Sequence, residues 1–256
     1  MRQTLAEQEV YATSQGEGAP RLFLHCSLAR HQTLLPLAQA MPAACNIFFD
    51  LPGHGRSGEW LGEDYQTDTL RIAEELLDSP AHIIGHSFGG TVALRLAVER
   101  PDRVSRLTLI EPVMFAAVQD VDARLRHDAA MEPFITAWTA GDRAGTAQAF
   151  MDMWGGGPAW GDLPTPMQTR IIDQIHLIPA AAPAIEDDVH GIMDRVSSIT
   201  CPVDLIEGSA SQPVMAAILD GLQSRMPRAR RHVIDGAGHM VAISHASQIA
   251  DLVARS

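Results

Sequence analysis

The chain has 256 residues, a formal charge of −12 from 19 basic and 31 acidic side chains, and an apolar fraction of 46%. This is a globular composition, large enough for one α/β domain with an insertion, and its acidic balance disfavours nucleic-acid or anionic-membrane partners. The three cysteines, Cys26, Cys45 and Cys201, form no CxxC pair, which argues against a disulfide framework or a zinc site and suits a reducing compartment.

The segment 1–18 is polar, without the apolar stretch of a secretory signal. No apolar run approaches the roughly 18 residues of a membrane span. A soluble cytoplasmic protein is expected. From Arg21 the chain alternates short apolar runs with longer periodic ones. Arg21 to His25 reads as a strand, Gln32 to Ala40 as a helix, and Asn46 to Asp50 as a strand. Thr67 to Leu77 is a helix, Ala81 to His86 a strand, Phe88 to Glu99 a helix, and Arg106 to Glu111 a strand. Near-continuous apolar strands alternating with helices predict a parallel sheet covered on both faces.

From Met114 to about Ser197 no strand pattern is visible. Gly155-Gly156-Gly157-Pro158 and other prolines break the stretch into short helices. Alternation then returns: Val203 to Glu207 and His232 to Asp235 read as strands, Val214 to Arg225 and Val241 to Ala254 as helices. The predicted division is a core over residues 1–113, a helical cap over 114–197, and the rest of the core over 198–256.

Gly85-His86-Ser87-Phe88-Gly89 matches G-x-S-x-G between a strand pattern and a helix pattern. That setting lifts a serine hydroxyl clear of the sheet on a strained turn, and small flanking residues let the two backbones approach. Ser87 is therefore the candidate nucleophile. Gly236-Ala237-Gly238-His239 places a histidine on a loop after the last strand, beside the carboxyl ends of the sheet. A histidine titrates near neutrality, which suits a general base. Two backbone amides must face the developing oxyanion. The expected pair is Phe88, directly after the nucleophile, and Ser27, in the loop His25-Cys26-Ser27.

Two other patterns compete. Gly53-His54-Gly55-Arg56-Ser57-Gly58 matches a dinucleotide fingerprint, but the following Glu59-Trp60-Leu61-Gly62 lacks the helical period that the fingerprint requires. His82 and His86 have metal-pair spacing, but on a strand this spacing does not converge. Neither a metal nor a cofactor is expected.

With Asp50-Leu51-Pro52-Gly53-His54-Gly55-Arg56-Ser57, Leu109-Ile110-Glu111-Pro112, the Ser87 pentad and the His239 loop, the chain resembles the α/β-hydrolase superfamily. Its similar members are small capped esterases, lactonases, carbon–carbon bond hydrolases and cofactor-free haloperoxidases. The resemblance implies a mostly parallel eight-stranded sheet with helices on both faces and a helical cap after strand six. It also implies a serine hydrolase acting on a small-molecule carboxylic ester. Lactonase or carbon–carbon cleavage, and a non-catalytic ligand-binding role, are the alternatives. The pattern fixes no oligomeric state.

This sequence departs from the family twice. The early loop reads His25-Cys26 where the family has His-Gly, which narrows the oxyanion loop. The stretch that usually carries the triad acid reads Gly208-Ser209-Ala210-Ser211-Gln212-Pro213, without an acid. Glu111, ending strand six, is the first candidate for that acid, with a structural strand-end role as the alternative. Glu207 is a weaker candidate, Asp204 lies too far back on its strand, and a Ser211 hydroxyl would orient His239 poorly. In the cap, Met151, Met153, Trp154 and Trp160 are candidates for pocket lining or for plain packing.

Overall fold

The computed structural model describes residues 1–255. Eight strands form one sheet: β1 (Arg2–Leu5), β2 (Gln8–Gln15), β3 (Pro20–Leu24), β4 (Cys45–Phe49), β5 (Ala81–His86), β6 (Val104–Ile110), β7 (Val203–Gly208) and β8 (Arg230–Ile234). Their order is β1-β2-β4-β3-β5-β6-β7-β8. Strand β2 is antiparallel to both of its neighbours, and every other pairing is parallel. The β1–β2 hairpin has no counterpart in the sequence reading. Strand β1 is short, mostly exposed and at the sheet edge, and the longer β2 buries Val10 and Ala12 alone, so the pair carries little apolar pattern.

Ten α-helices accompany the sheet among the described residues. They are α1 (Leu35–Ala40), α2 (Tyr65–Glu75), α3 (Phe88–Glu99), α4 (Val121–Thr139), α5 (Arg143–Trp154), α6 (Thr165–Gln174), α7 (Leu177–Ile185), α8 (Pro213–Arg225), α9 (Val241–Ser244) and α10 (Ala246–Ala254). Three predicted helices shift in detail. The first opens as a 3₁₀ turn, His31–Leu34, before α1. Helix α2 starts at Tyr65 because Asp64 caps it, accepting from the Thr67 amide at 3.0 Å. The last breaks at His245 into α9 and α10.

Successive side chains of a strand point to opposite faces, and this divides the core in two. Leu22, Leu24, Ile83, Leu109 and Leu205 join Val92 and Leu96 of α3 and Ile218 of α8 in one apolar layer. Their neighbours Phe23, Ile84, Ile110 and Ile206 join Leu37 of α1, Val241 of α9 and Ile249 of α10 in the other. The strands read as unbroken apolar runs because both faces are covered.

Helices α4 to α7 all lie between β6 and β7 in sequence. They share a third cluster, Phe134, Ala147, Leu163, Ile171 and Ile175, which also takes in Leu28 from the loop after β3. Among the described residues no helix is long and apolar enough to cross a membrane.

Register sets up the site. Leu24 of β3 pairs with Gly85 of β5, His86 of β5 with Ile110 of β6, and Ile110 with Ile206 of β7. The residues just past these strand ends therefore emerge side by side. From β3 the chain passes to β4 on one side, and from β5 it runs through β6, β7 and β8 on the other. The β3/β5 boundary is a topological switch point, where the departing loops diverge and leave a crevice.

Candidate active site

Ser87 occupies the turn between β5 and α3 at φ 56°, ψ −120°. A side chain adopts that left-handed backbone only under strain, which persists where the surroundings over-determine it. Here the surroundings do. The Ser87 amide donates to the Ile110 carbonyl at 2.9 Å, and the Ser87 carbonyl accepts from the Gly90 amide at 2.9 Å. A Cβ on Gly85 would lie 2.3 Å from the Gly89 carbonyl oxygen, and one on Gly89 would lie 2.4 Å from that of Leu24. Both positions must be glycine for strand, turn and helix to close this tightly.

His239 lies on the loop after β8, and its Nε2 is 3.0 Å from Ser87 Oγ. Its Nδ1 is 2.9 Å from Glu111 Oε2. Glu111 directly follows β6, is fully buried, and has φ 49°. Its other oxygen accepts from the Gly208 amide at 2.7 Å and from the Ser211 hydroxyl at 2.8 Å. Both oxygens thus face donors, as an ionised carboxylate requires. His239 Nδ1 then carries the hydrogen, leaving Nε2 as acceptor for the Ser87 hydroxyl. The segment that lacks an acid in the sequence supplies the donors that hold the acid of the neighbouring strand.

The other acids are engaged elsewhere. Glu207 accepts from Arg231 Nε at 2.6 Å. Asp204 accepts from Arg106 at 2.6 Å and faces His232 at 3.0 Å.

Two further side chains fix His239, and the motif pattern singles out neither for that role. His86 Nε2 donates to the His239 carbonyl at 2.9 Å. Burial first, and then neighbouring His239, push the His86 pKa down to about 3, so its ring stays neutral. Trp154, at the end of α5, meets the His239 ring edge-on at 4.8 Å between centroids.

The loop after β3 is braced by buried histidines. The Leu28 amide donates to His54 Nε2 at 2.9 Å, so His54 Nδ1 carries the hydrogen and donates to the Pro52 carbonyl at 3.0 Å. His25 repeats the pattern, accepting from the Leu51 amide at 3.0 Å and donating to the Cys26 carbonyl at 2.8 Å. Burial lowers their pKa values to about 3 and about 4. The Gly53–Gly58 stretch wraps Asp50, whose carboxylate accepts from the Arg56 amide at 2.8 Å. A Cβ on Gly55 would strike that carboxylate at 2.2 Å. The glycine pattern serves this wrap and opens no helix.

Ser27, Ser87, Phe88 and His239 all border a cavity of about 350 Å³. Its walls are mainly apolar, with Val113, Phe115, Phe134, Phe150 and Ile178 among them. Arg124 and Glu186 form an ion pair at 2.7 Å on its lining. The amide of Phe88 belongs to the first turn of α3, where N–H groups have no intrahelical acceptor and the helix dipole is positive. Of the four residues read as either pocket lining or plain packing, Trp154 borders this cavity, and Met151 borders a smaller adjoining one. Met153 packs on the core and Trp160 within the insertion. Cys26 is buried beside the smaller cavity, and burial pushes its thiol up to about 12.

A parallel sheet carrying a serine, a histidine and a carboxylate at its strand ends is the frame of the α/β hydrolases, and the chain belongs to that family. The model of the alpha/beta hydrolase family matches residues 22–252. The chain is 31% identical to lipase LipV of Mycobacterium tuberculosis over 59% of its own length, and spans only 51% of that lipase. It is 23% identical to a pimeloyl-(acyl-carrier protein) methyl ester esterase of Aliivibrio salmonicida, over 93% of this chain and 92% of that protein. An esterase from Exiguobacterium antarcticum superposes with a TM-score of 0.75 at 19% identity, covering 99% of this chain and 97% of that one. That likeness shows the shared fold.

Proposed function

We propose that this chain is a serine hydrolase that cleaves a small carboxylic ester through an acyl-enzyme. The observation that carries this reading is the unbroken relay from Ser87 through His239 to Glu111, opening onto a mainly apolar cavity. Ser87 Oγ attacks the ester carbonyl while His239 Nε2 takes its proton. The Ser27 and Phe88 amides receive the negative charge that forms on the carbonyl oxygen. The imidazolium is stabilised by Glu111 and returns the proton to the departing alkoxide, which leaves as the alcohol. Water then attacks the acyl-Ser87 ester with His239 again as base, releasing the acid and restoring the serine. Residues 114–197 act as the cap, since their side chains wall the cavity and one of them, Trp154, reaches the base.

An ester or lipase activity among the relatives agrees with this reading. Hydrolysis of p-nitrophenyl butyrate tests it. Wild type turns over, and Ser87→Ala loses at least about a thousandfold in kcat. Equal turnover by the two proteins would overturn the assignment of Ser87.

A further inference from the structure

The space around Ser87 has two lobes. Besides the cavity of about 350 Å³, a second of about 120 Å³ adjoins it. Ser27, Ser87, Phe150, Trp154 and His239 border both, so the reacting atoms lie at the junction. An ester placed there has one limb in each lobe. The larger lobe is lined chiefly by apolar side chains of the insertion. The smaller is lined by Cys26, Leu28, Met151, Met167 and Ile171, and by a single formal charge that sets it apart, Arg170 of α6.

Arg170 is half-buried, and among the described residues no hydrogen bond or ion pair engages its guanidinium. The charged group that acts on it is another cation, Arg30. Several other half-buried arginines are paired with acids. Arg106 meets Asp204, Arg124 meets Glu186, and Arg231 meets Glu207. In a protein of net charge −12, acids to neutralise one more arginine are plentiful, yet among the described residues none forms an ion pair with this one. A guanidinium cannot shed its proton, and its planar fork matches a carboxylate with two parallel hydrogen bonds.

We propose that the smaller lobe is an anion subsite, in which Arg170 binds a carboxylate carried on the shorter limb of the ester. Its volume fits a limb of a few atoms, and the larger apolar lobe takes the longer limb. The substrate class is an ester with one extended apolar arm and one short acidic arm. This rests on the serine-ester reading above and narrows its substrate.

Two matched pairs of esters test the subsite. The octanoyl ester of glycolate is compared with ethyl octanoate, which places the short arm on the alcohol. Monooctyl succinate is compared with octyl butyrate, which places it on the acyl group. The readout is the ratio of kcat/KM for the acidic ester to that for its neutral partner. In wild type this ratio exceeds tenfold in at least one pair, and in Arg170→Gln it collapses to near or below one. Arg170→Lys keeps part of it, as a point charge without the fork. Arg143→Gln keeps all of it, since Arg143 borders an outer cleft with Arg170 but not the smaller lobe. Neutral esters cleaved without preference for the acidic partner in either pair would overturn the subsite and leave the esterase reading standing. A preference that survives in Arg170→Gln would do the same. Failure of wild type to cleave any of the four would overturn both.

Discussion

At the scale of single residues, the least conventional feature is where the acid comes from. Glu111 directly follows β6, one strand earlier than the family's usual position, and its carboxylate is held by three donors on different parts of the chain: His239, the Gly208 amide and the Ser211 hydroxyl. A fully buried carboxylate is tolerated only when its lone pairs are met in this way. Replacing it by Gln keeps the shape but offers a neutral amide to the imidazolium. Glu111→Gln is expected to lower kcat by roughly 10²–10⁴-fold with KM changed little. Steady-state kinetics on p-nitrophenyl butyrate, with a melting curve to establish folding, checks this. An unchanged kcat in a folded variant would remove Glu111 from the relay. The sequence already offers Glu111 as the first of several candidates. Choosing among them needs geometry: Glu111 meets His239, whereas Glu207, within β7, points to Arg231.

At the scale of elements, the loop after β3 matters most, because it carries Ser27. Its path is fixed by His25 within it, which accepts from the Leu51 amide, and by His54 of the neighbouring loop, and Leu28 holds φ 60°. Removing the His54 ring leaves the Leu28 amide buried without an acceptor, which costs about 1–3 kcal/mol. It also frees the backbone that carries Ser27, a proposed oxyanion donor. His54→Ala is therefore expected to melt at lower temperature and to lose kcat more than KM. Parallel melting and kinetic measurements test this, and loss of stability with full kcat would assign His54 to scaffolding alone. The sequence places His54 in the glycine-rich Asp50–Ser57 stretch but gives its ring no role of its own. Its role appears only when β4 pairs with β3 in parallel and brings the two following loops together.

At the scale of the whole molecule, buried neutral histidines shape the response to acid. Burial holds His25 to about 4 and His54, His82 and His86 to about 3, all below the usual 6.5. The unfolded chain therefore binds protons first as the pH falls, so stability drops as pH decreases from about 6.5 toward 3–4. Each such group contributes up to about 1.4 kcal/mol per pH unit in that window. Burial works against the Asp50 carboxylate, yet hydrogen bonds from His31 and from the Arg56 amide outweigh it and hold its pKa below the usual value. It therefore adds a loss of the same sign at lower pH. Urea midpoints at pH 7.5, 6.0 and 5.0 are expected to fall steeply, with little change above pH 7. A flat profile would mean that these rings are solvated in the folded state.

The fold class and much of the element order are legible in the residue pattern alone, because apolar strands alternating with helices admit few arrangements other than a covered parallel sheet. The sequence also marked Ser87 and His239 as candidates, because a serine between glycines at a strand–helix turn and a histidine on a late glycine loop are local patterns. The β1–β2 hairpin was not legible, since β1 is mostly solvated and the two buried side chains of β2, Val10 and Ala12, are too few to stand out as an apolar pattern. Tertiary structure alone decided that Glu111, rather than Glu207, meets His239, and that His86 and Trp154 clamp it. It also decided that the space at Ser87 divides into two unequal lobes, with an unpaired arginine in the smaller. These are distances between residues dozens to more than a hundred positions apart, set by strand register and by how the inserted helices fold back over the sheet, and no local pattern encodes them.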